Sequence, residues 1–194
     1  IGKEKGLKIL EKVRNRFDVP VITDIHESGQ IDEIASVVDV IQTPAFLCRQ
    51  TDLLAAVGKT NKIINVKKGQ FLNPEAMEKV IKKVESGGNK NVWACERGYT
   101  FGYNNLVVDY RNFPIMKRFG NPIVFDATHS VQRPSGQDGT SGGDREFVLN
   151  LASAAITQGI AGLFFEVHDE PEKALCDGPN SIRLSQMEEV LKHC

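Results

Sequence analysis

Short apolar runs rich in β-branched residues alternate along this chain with longer stretches whose apolar residues recur at helical spacing. The runs predicted as strands are residues 19–23, 38–42, 62–66, 91–95, 122–127 and 162–166. Between them the pattern predicts helices over 27–36 (Ile31, Ile34 and Ala35 on one face), 51–57, 73–85, 109–119 and 144–157, with a last one over 185–192. Punctuation agrees: Thr51-Asp52 and Asn73-Pro74 open helices, while Gly58, Gly87-Gly88 and Gly159 close them. Residues 132–143, rich in glycine, serine and proline, are expected to form a long loop. The first 16 residues, with Leu7, Ile9, Leu10 and Val13 among charges, read as a helix with no strand ahead of it.

Strict strand–helix alternation implies a parallel sheet with right-handed crossovers. Its closed form has eight units in about 250 residues, whereas this sequence has six units in 194 residues. The expected fold is therefore α/β: a (β/α)8 TIM barrel with the first two β-strands missing from this chain, residues 1–194 forming a single barrel domain. An open doubly wound sheet is the alternative, but no Gly-x-Gly-x-x-Gly turn follows any strand.

Composition narrows the partners. With 41% hydrophobic and 25% charged residues the chain reads as soluble and globular. A net charge of -1 recruits neither nucleic acid nor an anionic membrane surface, so anion binding has to be local. No run of about 18 apolar residues exists, so no membrane span is expected. No signal peptide is visible, though a start at Ile1 leaves a leader open. Cys48, Cys95, Cys176 and Cys194 are far apart and read as reduced thiols of a cytoplasmic protein.

Candidate chemistry gathers where the strands end, the layout of barrel enzymes. Asp24, Lys67 and Lys68, Glu96 and Arg97, Asp126 and His129, and Glu166 all follow apolar runs. Alternation sends one lysine of the doublet inward and the other outward; a solvated pair is the plain alternative. An inward lysine beside Arg97 makes two neighbouring cations, which repel unless an anion lies between them, so phosphate or carboxylate is the favoured ligand. A histidine alone is more often structural than catalytic. His129 with Glu166 and Asp177 suits a divalent metal and equally an acid–base network. His168, Glu170 and His193 read as surface residues, and Gly142-Gly143 before Asp144 as either an anion site or an ordinary loop.

These strand ends carry a closer likeness. The stretches 23–27 (TDIHE), 42–53 (QTPAFLCRQTDL), 65–71 (NVKKGQF), Arg97-Gly98 with 101–109 (FGYNNLVVD), 126–129 (DATH) and 176–179 (CDGP) resemble the 3-deoxy-D-manno-octulosonate 8-phosphate (KDO-8-phosphate) synthases, over essentially the whole sequence. The resemblance implies a (β/α)8 barrel, usually a cytoplasmic homotetramer. It implies condensation of phosphoenolpyruvate with D-arabinose 5-phosphate and water for lipopolysaccharide assembly. It implies that Lys67 and Arg97 clamp phosphoenolpyruvate, and that Asp24 and Gln42 are active-site residues from earlier strand ends. It further implies that Arg49 with Phe46 contacts the sugar phosphate across a subunit interface. His129, Glu166 and Asp177, with Lys67, are then the catalytic candidates, and the first three hold a metal in one class of the family. The residue separating the classes, a cysteine or an asparagine, and a Lys-Ala-Asn-Arg-Ser stretch lie on strands expected to be missing here. The 176–179 motif points to the metal-independent class; cofactors are therefore none or a divalent metal. A sister family, the 3-deoxy-D-arabino-heptulosonate 7-phosphate synthases, shares the strand-end Lys and Arg, but QTPAFLCRQTDL and FGYNNLVVD argue against it. A degenerate, non-catalytic anion-binding module is the other alternative.

Overall fold

A computed structural model describes residues 1–137 and 140–194. The chain divides into two compact units, Ile1–Gly69 with Glu75–Ala94, and Gln70–Pro74 with Cys95–Cys194. Among the described residues, six parallel strands alternate with helices, the pattern of a partial (β/α)8 barrel. No helix among them is long and apolar enough to cross a membrane.

The first unit begins with α1 (Lys3–Phe17), then β1 (Ile22–Asp24), α2 (Ile31–Val37), β2 (Val40–Thr43), α3 (Thr51–Val57), β3 (Ile63–Lys67) and α4 (Ala76–Glu85). It runs into β4 (Val92–Glu96), whose last two residues belong to the second unit. The strands lie in the order β1-β2-β3-β4. β2 is buried at every residue, and β3 at all but its first, as expected of a parallel strand covered on both faces. β1, the outer strand, is exposed at Ile22 and Asp24 and half-buried at Thr23. The core is aliphatic: Ile25, Val38, Ile41, Leu54, Val57, Ile64, Val66, Met77 and Val84 are fully buried. Helices α3 and α4 meet at two glycines. A Cβ on Gly58 would lie 1.9 Å from the Val84 carbonyl oxygen, and one on Gly87 2.5 Å from that of Ala55. Only hydrogen fits there.

The second unit continues with β5 (Tyr99–Thr100) and β6 (Leu106–Val107), an antiparallel pair, then α5 (Asn112–Lys117) and β7 (Ile123–Asp126). β8 (Gln132–Gln137) and β9 (Thr140–Gly143) follow, then α6 (Val148–Thr157), β10 (Gly162–Phe164), β11 (Val167–His168), β12 (Ile182–Arg183) and α7 (Met187–His193). Its parallel strands lie in the order β4-β7-β10. Aromatic rings fill the core: Phe113 meets Tyr110 at 5.4 Å and Phe125 edge-on at 5.6 Å between centroids.

The structure corrects three elements. The loop expected over 132–143 contains an antiparallel hairpin, β8–β9; Asp138 and Gly139 lie outside the described residues. Polar composition hid strands that carry no apolar periodicity. The helix expected over 109–119 spans only Asn112–Lys117. Asp109 Oδ1 instead accepts the Arg111 backbone N–H at 3.0 Å, closing an Asx turn, and Gly120 (φ 81°) ends the segment. The helix expected over 144–157 begins at Val148, after a 3₁₀ turn at Arg145–Phe147.

Candidate functional site

In the first unit the strand ends assemble a polar row. Asp24 pairs with Gln42, and Gln42 with Asn65, at aligned positions of three adjacent parallel strands. Aligned residues share a face, so the three side chains stand side by side. Asn65 Nδ2 donates to Gln42 Oε1 at 2.8 Å, and Gln42 Nε2 donates to Asp24 Oδ1 at 2.7 Å. Gln42 and Asn65 are buried, and Asp24 is the solvent end of the row. Lys67 lies two residues beyond Asn65, hence on the same face, and closes β3.

Both lysines of the doublet are buried, Lys67 at 7% and Lys68 at 0% exposure, so the solvated-pair alternative is overturned. Lys68 Nζ reaches the Gly69 carbonyl at 3.3 Å. Nearby Cys48 is wholly buried. Burial pushes its thiol up, against the opposing pull of the Gly69 backbone, Lys68 and Arg49. Phe46 and Arg49 sit at the surface, Phe46 in the 3₁₀ turn Ala45–Leu47 and 72% exposed. The Arg49 carbonyl accepts from Lys83 Nζ at 3.2 Å.

In the second unit Arg97 follows β4 and is only 5% exposed. Its placement depends on Glu96, a fully buried carboxylate. Glu96 Oε1 accepts the backbone N–H groups of Arg97 (2.9 Å) and Gly98 (2.6 Å), and Oε2 accepts from Asn112 Nδ2 (2.7 Å). Gly98 has φ 91°, a conformation that favours glycine. The Arg97 side chain donates from Nη2 to Gln132 Oε1 at 2.8 Å and to the His129 carbonyl at 3.4 Å. Burial lowers the guanidinium from its ordinary value, opposed chiefly by Asp126, Cys95, Asp177 and Glu96. Arginine begins so high that it stays a cation, and its five N–H donors leave capacity for an anion.

Gln132 passes this contact on, its Nε2 donating to Asp177 Oδ1 at 2.6 Å. His129 Nδ1 lies 2.8 Å from Asp126 Oδ2, and Asp126 Oδ1 accepts the His129 backbone N–H at 2.9 Å. A carboxylate only accepts, so Nδ1 carries a proton, and in the neutral ring the lone pair is on Nε2. Nε2 lies 3.8 Å from Glu166 and 3.9 Å from Asp177. Thr128 Oγ1 donates to Asp126 Oδ1 at 3.2 Å and accepts the Glu166 backbone N–H at 2.8 Å, tying the ends of β7 and β10 together.

An imidazole lone pair facing two carboxylates is a donor set that suits a divalent ion, and Asp126 is the outer partner that would orient the ligand. The residues therefore fit such an ion in kind. Among the described residues, no three His, Cys, Asp or Glu already stand as a closed metal cluster. The same array can hold or move a proton at Nε2.

The candidates thus fall into two sets: Asp24, Gln42 and Lys67 in one unit, Arg97, His129, Glu166 and Asp177 in the other. Sequence reasoning missed Asn65, Gln132, Thr128 and Asn112 as parts of these networks. Asn65 was findable, being two residues before Lys67 on one strand. Gln132 carried no such signal. Gly143, weighed as an anion site, packs against Asn180: a Cβ there would come 2.6 Å from that residue's Cβ.

Alternating parallel strands with charged groups at their C-terminal ends are the layout of a barrel enzyme. The DAHP synthetase I family model matches residues 1–194, and the chain belongs to that family. It is 58% identical over 191 residues to a curated 2-dehydro-3-deoxyphosphooctonate aldolase of Geobacter sulfurreducens, covering 98% of this chain and 70% of that protein. Proteins of the same name from Geotalea uraniireducens and Legionella pneumophila are 57% and 56% identical, with the same coverage.

Proposed function

We infer that this chain condenses phosphoenolpyruvate with D-arabinose 5-phosphate and water, giving 3-deoxy-D-manno-octulosonate 8-phosphate and inorganic phosphate. The observation that carries this is the 56–58% identity, over 98% of the chain, to relatives named for that sugar acid phosphate.

The chemistry accounts for the residue types. C3 of phosphoenolpyruvate forms a bond to the aldehyde carbon of the sugar, whose oxygen takes up a proton. Water adds at C2 and loses a proton, and phosphate leaves. Positive charge builds at C2 and negative charge on the aldehyde oxygen, so fixed cations and a positioned acid–base group lower the barrier. By the resemblance, Lys67 and Arg97 each bind phosphoenolpyruvate. A buried guanidinium held by neutral Gln132 supports that role for Arg97. Asp24 and Gln42 bind substrate at their strand ends, and Phe46 with Arg49 meets the sugar phosphate in a homotetramer. His129, with its proton on Nδ1, offers Nε2 as the base that takes the proton from water, with Glu166 and Asp177 beside it. In a metal-dependent member, His129, Glu166 and Asp177 would hold the divalent ion, which would supply Lewis acidity.

The test is phosphate release by the full-length protein with arabinose 5-phosphate or erythrose 4-phosphate. Release with the five-carbon sugar is expected. Release with only the four-carbon sugar would move the chain to the sister activity, and none with either would favour a binding module.

A further inference from the structure

We propose that Asn65 is a positioning residue that fixes the direction of the Gln42 amide, and through it the Asp24 carboxylate. This rests on the reading of Asp24 and Gln42 as substrate-binding groups.

The geometry dictates the direction of the row. Asp24 is an acceptor, so the group of Gln42 that approaches it at 2.7 Å has to be the NH₂. The Gln42 oxygen is thereby turned towards β3. There it lies 2.8 Å from Asn65, which has to offer its own NH₂. An amide at position 65 satisfies this; a carboxylate of the same shape does not. Asn65 is 1% exposed and Gln42 5%, so water is poorly placed to replace either bond. The Asn65 oxygen, Oδ1, is buried and has no hydrogen-bond partner among the described residues. With the NH₂ held towards Gln42, that oxygen faces away from the row.

The experiment compares Asn65→Ala with Asn65→Asp in the full-length protein, each alone and on a Gln42→Ala background. Loss of one buried hydrogen bond corresponds to roughly a five- to hundredfold change. Asn65→Ala is therefore expected to lower kcat/KM about tenfold. Asn65→Asp, the closer shape, is expected to lower it further, about a hundredfold. An ionised Asp at this position draws the Gln42 NH₂ to itself and turns the Gln42 oxygen against Asp24. Packing alone predicts the reverse order, because Asp fills the space and Ala does not. On the Gln42→Ala background, both substitutions are expected to change kcat/KM less than about twofold. An undiminished Asp penalty there would mean direct charge repulsion of substrate and would overturn the proposal. So would an Asn65→Asp variant more active than Asn65→Ala. Thermal unfolding of the same variants and the wild type reads the 65–42 coupling without turnover. If the wild type releases no phosphate, the proposed function fails; additive melting shifts would then sink the positioning role separately.

Discussion

Each unit contains a glutamine that bridges two polar side chains, and the two bridges differ in what feeds them. Gln42 accepts from neutral Asn65 and donates to Asp24; Gln132 accepts from cationic Arg97 and donates to Asp177. Both amides therefore point their NH₂ at an acid. The first bridge is built from aligned positions of three neighbouring strands, so the sheet itself sets its spacing. The second joins residues 35 and 45 positions apart in sequence, delivered by a strand end, a hairpin and a turn. Its bonds are charge-assisted and so roughly twice as strong as neutral ones. A sheet can hold a row in which one of the two bonds is neutral, whereas groups brought together from loops are held by charge at both.

Removing the cation tests this most severely. Arg97→Ala is expected to lower kcat/KM by a thousandfold or more while the protein stays folded, since Glu96 holds the main chain there without the guanidinium. Lys67→Ala should do the same in the first unit. Steady-state kinetics with circular dichroism checks both, and near-normal turnover in either refutes its role as an anion grip.

The bridges come next. Gln132→Leu leaves a buried cation and an acid unlinked and should reduce kcat/KM about thirtyfold. Gln42→Leu breaks neutral and singly charged bonds and should reduce it about tenfold. Equal losses, or the opposite ranking, would end the distinction drawn between the two units.

A smaller effect concerns alkaline stability. Burial pushes the Tyr110 hydroxyl up to about 12, and that hydroxyl donates to the Leu151 carbonyl at 2.7 Å. The folded state keeps this proton while an unfolded tyrosine loses it near pH 10. Its stabilising contribution is whole below about pH 10 and is lost as pH rises towards 12. Tyr110→Phe should therefore flatten the decline in melting temperature over that window, and an unchanged slope would exclude Tyr110 as its source. The smallest expected effect is that of a chelator. If the 176–179 motif is read as that of the metal-independent class, EDTA should leave turnover unaltered. Loss restored by a divalent ion would reassign His129, Glu166 and Asp177 as its ligands.

Much of the first unit was legible because strands advertise themselves. An apolar run ending in Asp24, Gln42 or Lys67 names both the strand and the end at which chemistry sits, and alternation puts Asn65 and Lys67 on one face. Lys68 was not legible: alternation turns it away from Lys67 but cannot say that it is fully buried. In the second unit His129, Glu166 and Asp177 were grouped by residue type, and His129 does face both carboxylates. Gln132 and Thr128 were not found. A glutamine in a polar hairpin and a threonine within a buried turn show no period, and only long-range pairing reveals them. The 109–119 helix was overcalled because local side-chain bonding at Asp109 competes with helix entry, a choice that periodicity does not register.

Glu96 fastens the chain by the successive peptide N–H groups of Arg97 and Gly98 rather than by the side chain of residue 97. Position 97 is in that sense a socket: its backbone is gripped from behind, whichever side chain it presents. Exchanging the side chain for lysine, histidine or citrulline should alter what is bound without undoing the mount. New ligand preferences could therefore be installed here with the main-chain mount intact.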